Sequence, residues 1–178
     1  MRAFVVLVLS ALTVTQAAAQ SEKAGDTNPA VHTSRTVWDI FTKYITTVAE
    51  ELPESTYAYR PTPEVRSAGQ LVGHIANAQY LFCSAALGES APQKEDIEKT
   101  RTRKSELVAA LKESTKYCAR AYGQTDRTAQ QSTKLFGEQR TRLFALGLNA
   151  AHNAEHYGNL VTYLRMNGIV PPSSRQAS

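Results

Sequence analysis

The chain has 178 residues, of which 42% are hydrophobic, and its 20 Lys and Arg against 16 Asp and Glu give a formal net charge of +4. This length is typical of one domain with its own core, and the positive excess is too small and too scattered to indicate a nucleic-acid-binding protein. The most basic segment, 99–104 (KTRTRK), lies among acidic residues and is interpreted as a solvated loop or helix end.

The first 19 residues have the pattern of a secretory signal peptide. Arg2 is followed by an apolar run over 3–14, and Ala17 and Ala19 place small residues at −3 and −1 of a cleavage site before Gln20. A membrane anchor is the alternative, but the run of about a dozen residues is shorter than the roughly 20 that a spanning helix needs. We therefore expect an exported protein, periplasmic or secreted, with no membrane span after cleavage of the signal.

Residues 20–33 are polar and turn-rich, so they predict a flexible lead-in, and His32 within them is expected to be exposed and outside any site. A helix is predicted over 34–51, because apolar side chains recur there at i, i+3, i+4 and i+7, and Pro53 stops it. Its apolar stripe consists of Val37, Ile40, Phe41, Tyr44, Ile45, Val48 and Leu52. The following segment, 53–66, contains three prolines and predicts a non-helical connector.

A second helix is predicted up to Leu87. Ser67 and Gln70 have the spacing of a capping box at its start, and Gly88 follows its last apolar residue. The apolar face of this helix consists of Leu71, Ile75, Ala78, Leu81, Phe82 and Ala85. His74 lies within that face.

The rest of the chain predicts two more helices. A polar connection over 88–104 leads to a third helix over 105–122, and a second polar segment, 123–137, leads to a fourth helix that runs from about 138 to 166. No segment alternates between apolar and polar residues, so no strand is expected. The predicted fold is an all-α four-helix bundle over 34–172, followed by a loose tail at 173–178.

Cys83 and Cys118 are the two cysteines of the chain, and each lies on a predicted helix. Because an exported protein meets an oxidising compartment, a disulfide between them is permitted. Two buried free thiols are the alternative, since cysteine often packs as a small apolar residue. The sequence leaves both alternatives open.

Polar side chains form a stripe along one face of the fourth predicted helix. At 100° per residue, that face carries Asn149, His152, His156, Asn159 and Tyr163. The helix is otherwise apolar and expected to be buried, so these side chains need partners. Two imidazoles four residues apart can bind one metal ion, although core histidines satisfied by hydrogen bonds are the alternative.

His74 is the one further histidine that lies on an apolar helix face. If neighbouring helices bring it to His152 and His156, the three imidazoles can hold one divalent ion, and zinc, nickel and iron(II) all accept this ligand set. Glu155 is a candidate outer partner or catalytic base, with a surface glutamate as the alternative. The polar residues expected to line the pocket are Asn77, Asn149, Asn159 and Tyr163.

Three sequence segments resemble the DinB-like, or YfiT-like, superfamily of metal-dependent proteins. The first is Tyr59-Arg-Pro61 followed by Ser67-x-x-Gln-Leu-x-x-His74, at the entry to the second helix. The second is His152-x-x-x-His156-Tyr-Gly on the last helix, and the third is Tyr163-Leu-Arg-x-x-Gly168 followed by two prolines. Together they extend over nearly all of the mature chain.

The resemblance implies a DinB-type four-helix bundle, often dimeric, with one divalent metal ion held by His74, His152 and His156. It also implies an enzyme, because relatives include transferases and isomerases that use low-molecular-weight thiols such as bacillithiol or mycothiol. The export signal departs from the cytosolic location of most such proteins, and it weakens the thiol-transferase prediction for this chain.

We therefore predict a metal-dependent enzyme of hydrolase or thiol-transferase type that acts on a small molecule. A non-catalytic metal-binding or small-ligand-binding bundle of the cell envelope is the alternative, and a purely structural bundle is a third possibility. Nucleic acid is not an expected partner, no membrane span is expected after cleavage of the signal, and a homodimer is expected only from the resemblance.

Overall fold

The computed structural model describes residues 27–175, so the predicted signal peptide at 1–19 lies outside the described residues. Within them, four long helices form a bundle, which confirms the predicted all-α class. The helices are α1 (Pro29–Glu51), α2 (Ala68–Leu87), α3 (Ile97–Thr100), α4 (Lys104–Ala121), α5 (Asp126–Ala129) and α6 (Arg142–Met166), and the strands are β1 (Ser132–Leu135) and β2 (Glu138–Thr141). Single 3₁₀ turns lie at Glu54–Thr56 and Pro172–Ser174.

Helix α2 occupies the centre of the bundle and packs mainly against α4 and α6, while α1 packs mainly against α6. One part of the core joins α1, α2, α4 and the second half of α6, and a second part surrounds Trp38 and Phe82. No helix between residues 27 and 175 combines the length and apolar composition needed to cross a membrane.

Helix α1 begins at Pro29, five residues before the predicted start, so 29–33 belong to the bundle and not to a flexible lead-in. The reason is a long-range contact: the Asp126 carboxylate accepts hydrogen bonds from the backbone N–H groups of Ala30 (3.0 Å) and Val31 (2.9 Å). These are two of the donors that an isolated helix would leave without partners at its start. His32 lies in this first turn and is exposed, as expected.

The apolar faces of α1 and α2 agree with the predicted ones at most positions and differ at three of them. Val37, Ile40 and Leu81 are 37–45% exposed, whereas Trp38 is buried. Trp38 stacks on Tyr122 with ring centroids 4.5 Å apart, and its indole N–H donates to Gln79. The largest side chain of the helix thus takes the core position because a buried partner accepts its indole N–H.

A β-hairpin replaces the predicted start of the last helix. Strands β1 and β2 are antiparallel, with Ser132 opposite Thr141, and α6 begins only at Arg142. The turn residues Phe136 (φ 54°) and Gly137 (φ 82°) both adopt left-handed conformations, as a two-residue hairpin requires. Thr141 then caps α6 by accepting from the Phe144 N–H. The expectation that no strand exists was therefore wrong.

The end of the chain is attached to the bundle as far as residue 175, and not loose from 173. Ser173 exchanges two hydrogen bonds with the Tyr157 hydroxyl, at 2.7 and 2.9 Å. Arg175 pairs with Glu51 of α1 at 2.6 Å. These contacts fix the tail because they join it to two different long helices.

A disulfide joins Cys83 of α2 to Cys118 of α4, and both residues are fully buried. The Asn149 side chain donates toward both sulfur atoms, at 3.5 and 3.7 Å, and toward the Tyr122 hydroxyl at 3.2 Å. The bond therefore lies in the part of the core that contains Trp38 and links two adjacent helices covalently.

Candidate metal centre

The second turn of α2 positions His74. The capping box expected at the start of this helix is present: the Ser67 hydroxyl accepts from the Gln70 N–H, and the Gln70 side chain accepts from the Ser67 N–H. Both bonds satisfy donors at the helix start and so fix where the helix begins. His74 follows one turn later, with its side chain about one quarter exposed (24%) on the face toward α6.

Helix α6 supplies the other two histidines from one face. The Nε2 atom of His152 lies 3.1 Å from His74 Nε2 and 3.0 Å from His156 Nε2. All three ligand atoms lie within 4.8 Å of one another. Side chains four residues apart on a helix are neighbours, so the pair follows from local geometry, and the packing of α2 on α6 adds the third ring.

Burial keeps two of these imidazoles neutral. It lowers the pKa of His152 to about 3 and the pKa of His156 to about 4, and the neighbouring histidines contribute further to both shifts. The Arg66 charge also lowers both pKa values, which places this guanidinium close to the site. At neutral pH the two rings are therefore in the form that binds metal ions.

The Nδ1 atoms on the far side of the rings have different partners. His74 Nδ1 lies 3.0 Å from a carboxylate oxygen of Glu98, and Arg66 Nε donates to the other oxygen at 2.9 Å. His156 Nδ1 lies 3.2 Å from the side-chain amide of Asn159, whose oxygen can accept a hydrogen bond in the alternative amide orientation. His152 Nδ1 is buried without a partner among the described residues.

The donor set fits a divalent cation. With protons on Nδ1, as the Glu98 contact favours for His74, each Nε2 atom carries a lone pair, and the one on His152 lies 3.1 Å from His74 Nε2 and 3.0 Å from His156 Nε2. Hydrogen bonds among these atoms require at least one ring to carry its proton on Nε2 instead. One cation bound by all three nitrogen atoms satisfies them together, and neutral imidazole is a preferred ligand of zinc, nickel and iron.

Glu98 is the important residue that the sequence analysis missed, because the whole segment 88–104 was expected to be a polar connection. Glu98 lies on α3, next to Ile97. The Ile97 side chain is buried in the core, and the Ile97 backbone N–H donates to Asn77 Oδ1. Asn77 also donates to Asp96 at 2.8 Å. A single apolar residue, Ile97, inside a charged segment was the available sign that this segment packs against the bundle.

Helix α3 approaches α2 very closely beside His74. A Cβ atom added to Gly73 would lie 2.8 Å from the Glu98 Cα and 3.1 Å from its backbone nitrogen. Gly73 therefore has no room for a side chain, and the close contact between the two backbones places the Glu98 carboxylate within reach of the imidazole.

The other predicted site residues have varied environments. Asn77 holds α3 against α2 and Asn149 contacts the disulfide, so neither lies among the three rings. Tyr163 is buried and donates to the backbone oxygen of Arg66 at 2.7 Å. Glu155 is exposed, and its negative charge acts against the lowering of the pKa of His156.

A cavity of about 630 Å³ lies next to the outer partners of two of the histidines, although none of the three histidines forms part of its wall. Its wall includes Glu98 and Asn159, the side chains that contact His74 and His156. Arg60 and Arg66 also line it, together with Tyr163. A small molecule in this cavity would therefore lie one side chain away from two of the three candidate ligands.

Comparisons with known proteins agree with this architecture. A family model described as the DinB superfamily matches residues 37–160. The uncharacterized protein YjoA of Bacillus subtilis (strain 168) is 31% identical over 124 residues, which represent 68% of this chain and 80% of YjoA.

Two crystal structures share the fold. A DinB-like protein from Bacillus cereus ATCC 10987 superposes with a TM-score of 0.69 at 16% identity, over 79% of this chain and 95% of that one. The DinB-like protein YjoA from Bacillus subtilis superposes with a TM-score of 0.64 at 24% identity, over 84% of this chain and 100% of that one.

Proposed function

The chain belongs to the DinB superfamily, and on that premise we propose that it is a metal-dependent enzyme that binds one divalent ion through His74, His152 and His156. The observation that carries the proposal is the convergence of three Nε2 atoms, with contacts of 3.0 and 3.1 Å, from two helices. Three imidazoles leave a position in the coordination sphere for an exchangeable ligand, which is the arrangement of catalytic and not of structural zinc sites.

A bound divalent ion would supply Lewis acidity at that exchangeable position, where water or a thiol loses its proton more easily. The residues of the chain have distinct tasks. Glu98 orients His74, Asn159 orients His156, and the burial of the α6 histidines keeps them neutral. Zinc, nickel and iron(II) all suit this set.

We also propose that the protein acts after export. The pattern at 1–19 is one support, and the buried disulfide between Cys83 and Cys118 is a second one, because such bonds persist mainly in oxidising compartments. In such a compartment, hydrolysis is a more suitable reaction than transfer to a cytosolic thiol. We therefore favour a hydrolase over a thiol transferase.

Metal analysis of the mature chain, produced without a histidine tag, tests the proposal. After loading with zinc, nickel or iron(II), the wild type is expected to retain one ion per chain. His156→Ala and His152→Ala should bind far more weakly, beyond the roughly 10–100-fold that loss of an outer partner costs. His32→Ala is the matched control, since it removes an exposed histidine of α1 and should retain the ion.

Absence of stoichiometric metal after all three loadings would refute the proposal. If metal is retained, spectroscopy of the loaded protein distinguishes an enzyme from a protein that only stores metal. An exchangeable position occupied by water supports catalysis, whereas a fourth ligand from the protein would favour the non-catalytic alternative.

A further inference from the structure

The wall of the cavity that Glu98 and Asn159 line also carries a guanidinium group, which neutral acceptors hold in place. Arg60 donates to Gln70 Oε1 at 3.0 Å and to the Pro63 backbone oxygen at 3.4 Å. Among the described residues, no carboxylate forms an ion pair with it. Its charge is therefore positioned at the cavity wall without being neutralised there.

Arg66 adds a second guanidinium to the same wall. Its Nε atom donates to Glu98, its side chain is 42% exposed, and its backbone oxygen accepts from the buried Tyr163 hydroxyl. The Glu98 charge is shared, since its other oxygen lies against His74. Arg66 therefore keeps its terminal nitrogens for a second partner, and the planar fork of arginine suits carboxylates and phosphates.

The acidic residues of the wall do not outweigh these charges. Glu98 is occupied by two partners, and Glu64 is exposed, as Arg60 and Arg66 are, so the two carboxylates at most balance the two guanidinium groups. A divalent ion at the neighbouring histidines would add two further positive charges. The cavity as a whole then attracts anions.

We infer that this cavity binds the anionic end of the substrate, a carboxylate or phosphate, through Arg60 and Arg66 while another group of the same molecule reaches the metal ion. The inference rests on the proposed function. It narrows the substrate class to small molecules that carry a permanent negative charge near the reacting group.

Two metal-binding probes of equal length test this inference. The first probe is the monohydroxamate of succinic acid, which ends in a carboxylate. The second probe carries a terminal carboxamide in place of that carboxylate, so it has the same shape without the charge. Both are titrated into the cobalt-loaded protein, and binding is read from the visible spectrum of the cobalt ion. The acid is expected to bind about ten-fold more tightly than the amide, since only the acid makes charge-assisted contacts with the two guanidinium groups.

The ratio of the two affinities is the relevant quantity, because any change at the metal affects both probes alike. In Arg60→Gln the ratio should fall to about three or below, since one of the two guanidinium groups is lost. In Arg103→Gln, which removes an exposed arginine paired with Glu106, the ratio should stay at about ten. A wild-type ratio near one, or a ratio unchanged in Arg60→Gln, would overturn the inference.

Failure of the proposed function gives a different result. If the protein retains no metal, the proposed function falls, and the cavity is tested in the metal-free protein by following backbone amide resonances during titration with succinate and with succinamide. Shifts around Arg60 and Arg66 with succinate alone support anion binding. Equal shifts, or none, reject it.

Discussion

Replacing Glu98 by glutamine is the most informative single change outside the ligand set. The carboxylate contacts His74 Nδ1 at 3.0 Å and Arg66 Nε at 2.9 Å, and its side chain is only 18% exposed. Glutamine keeps the shape and one acceptor but removes the charge. The substitution therefore tests whether a charged outer partner strengthens the binding of metal by His74.

The expected loss of metal affinity follows from the difference in strength between a charged and a neutral hydrogen bond to His74. A hydrogen bond to a charged group contributes about 1.5–3 kcal/mol and a neutral one about 0.5–1.5 kcal/mol, so Glu98→Gln should cost metal binding about 1–1.5 kcal/mol, or roughly ten-fold in affinity. Glu98→Ala removes the acceptor altogether and should cost up to about 100-fold. The prediction therefore includes a smaller loss of metal affinity in Glu98→Gln than in Glu98→Ala.

Competition with a chromophoric zinc chelator measures these affinities on the tag-free mature protein, after circular dichroism has shown that each variant is folded. Glu106→Gln is the matched control, because it removes a half-buried carboxylate that is also paired with an arginine. Zinc affinity equal to that of the wild type in both Glu98 variants would show that Glu98 does not act on His74, and the reasoning would fail.

Three further predictions concern packing, covalent linkage and pH. Gly73→Ala should destabilise the protein by about 1–3 kcal/mol in urea denaturation and weaken zinc binding, because the added Cβ pushes the Glu98 backbone away. The control Gly158→Ala has open space around the added Cβ and should stabilise the protein by about 0.5–1 kcal/mol. Replacing both cysteines by alanine should cost up to about 3–4 kcal/mol, since the disulfide closes a loop with a sequence separation of 35, and zinc affinity should remain. When the pH is lowered from 7 to 5, the free energy of unfolding of the metal-free wild type should fall by about 1–3 kcal/mol more than that of the metal-free His152→Ala variant. The folded-state pKa of His152, about 3, lies below the ordinary 6.5, so protons bind the unfolded chain first and stability falls as the pH decreases through 6.5. Parallel pH profiles for the two proteins would contradict this assignment.

The ligand histidines could be predicted from the sequence because helical periodicity determines them. His152 and His156 are one turn apart on a long helix, and their shared face does not depend on the rest of the fold. His74 was predictable as a core-facing residue of α2. Its contact with the other two rings depends on helix packing, which helical periodicity does not determine, and it was expected from the family resemblance.

Glu98 could not be predicted in the same way, because α3 has only four residues and no periodicity of its own. Its position depends on Ile97 entering the core and on the close backbone contact with Gly73. The hairpin was missed for a related reason. Strand β2 has the sequence Glu-Gln-Arg-Thr, which is compatible with a helix, and the turn at Phe136 and Gly137 decides its conformation.

The structure separates the parts of the chain that hold the bundle together from those that shape the site. The disulfide and the stacked Trp38 lie in one part of the core. The disulfide joins α2 to α4, and Trp38 joins α1 to the end of α4. Both contacts tie the long helices together away from the three imidazoles. Of the outer partners, Asn159 lies on α6 itself, whereas Glu98 and Arg66 lie on α3 and on the connector before α2, which are short segments held by a few contacts. Under the proposed function, we expect changes in those segments to alter metal affinity and substrate charge preference while the bundle stays intact.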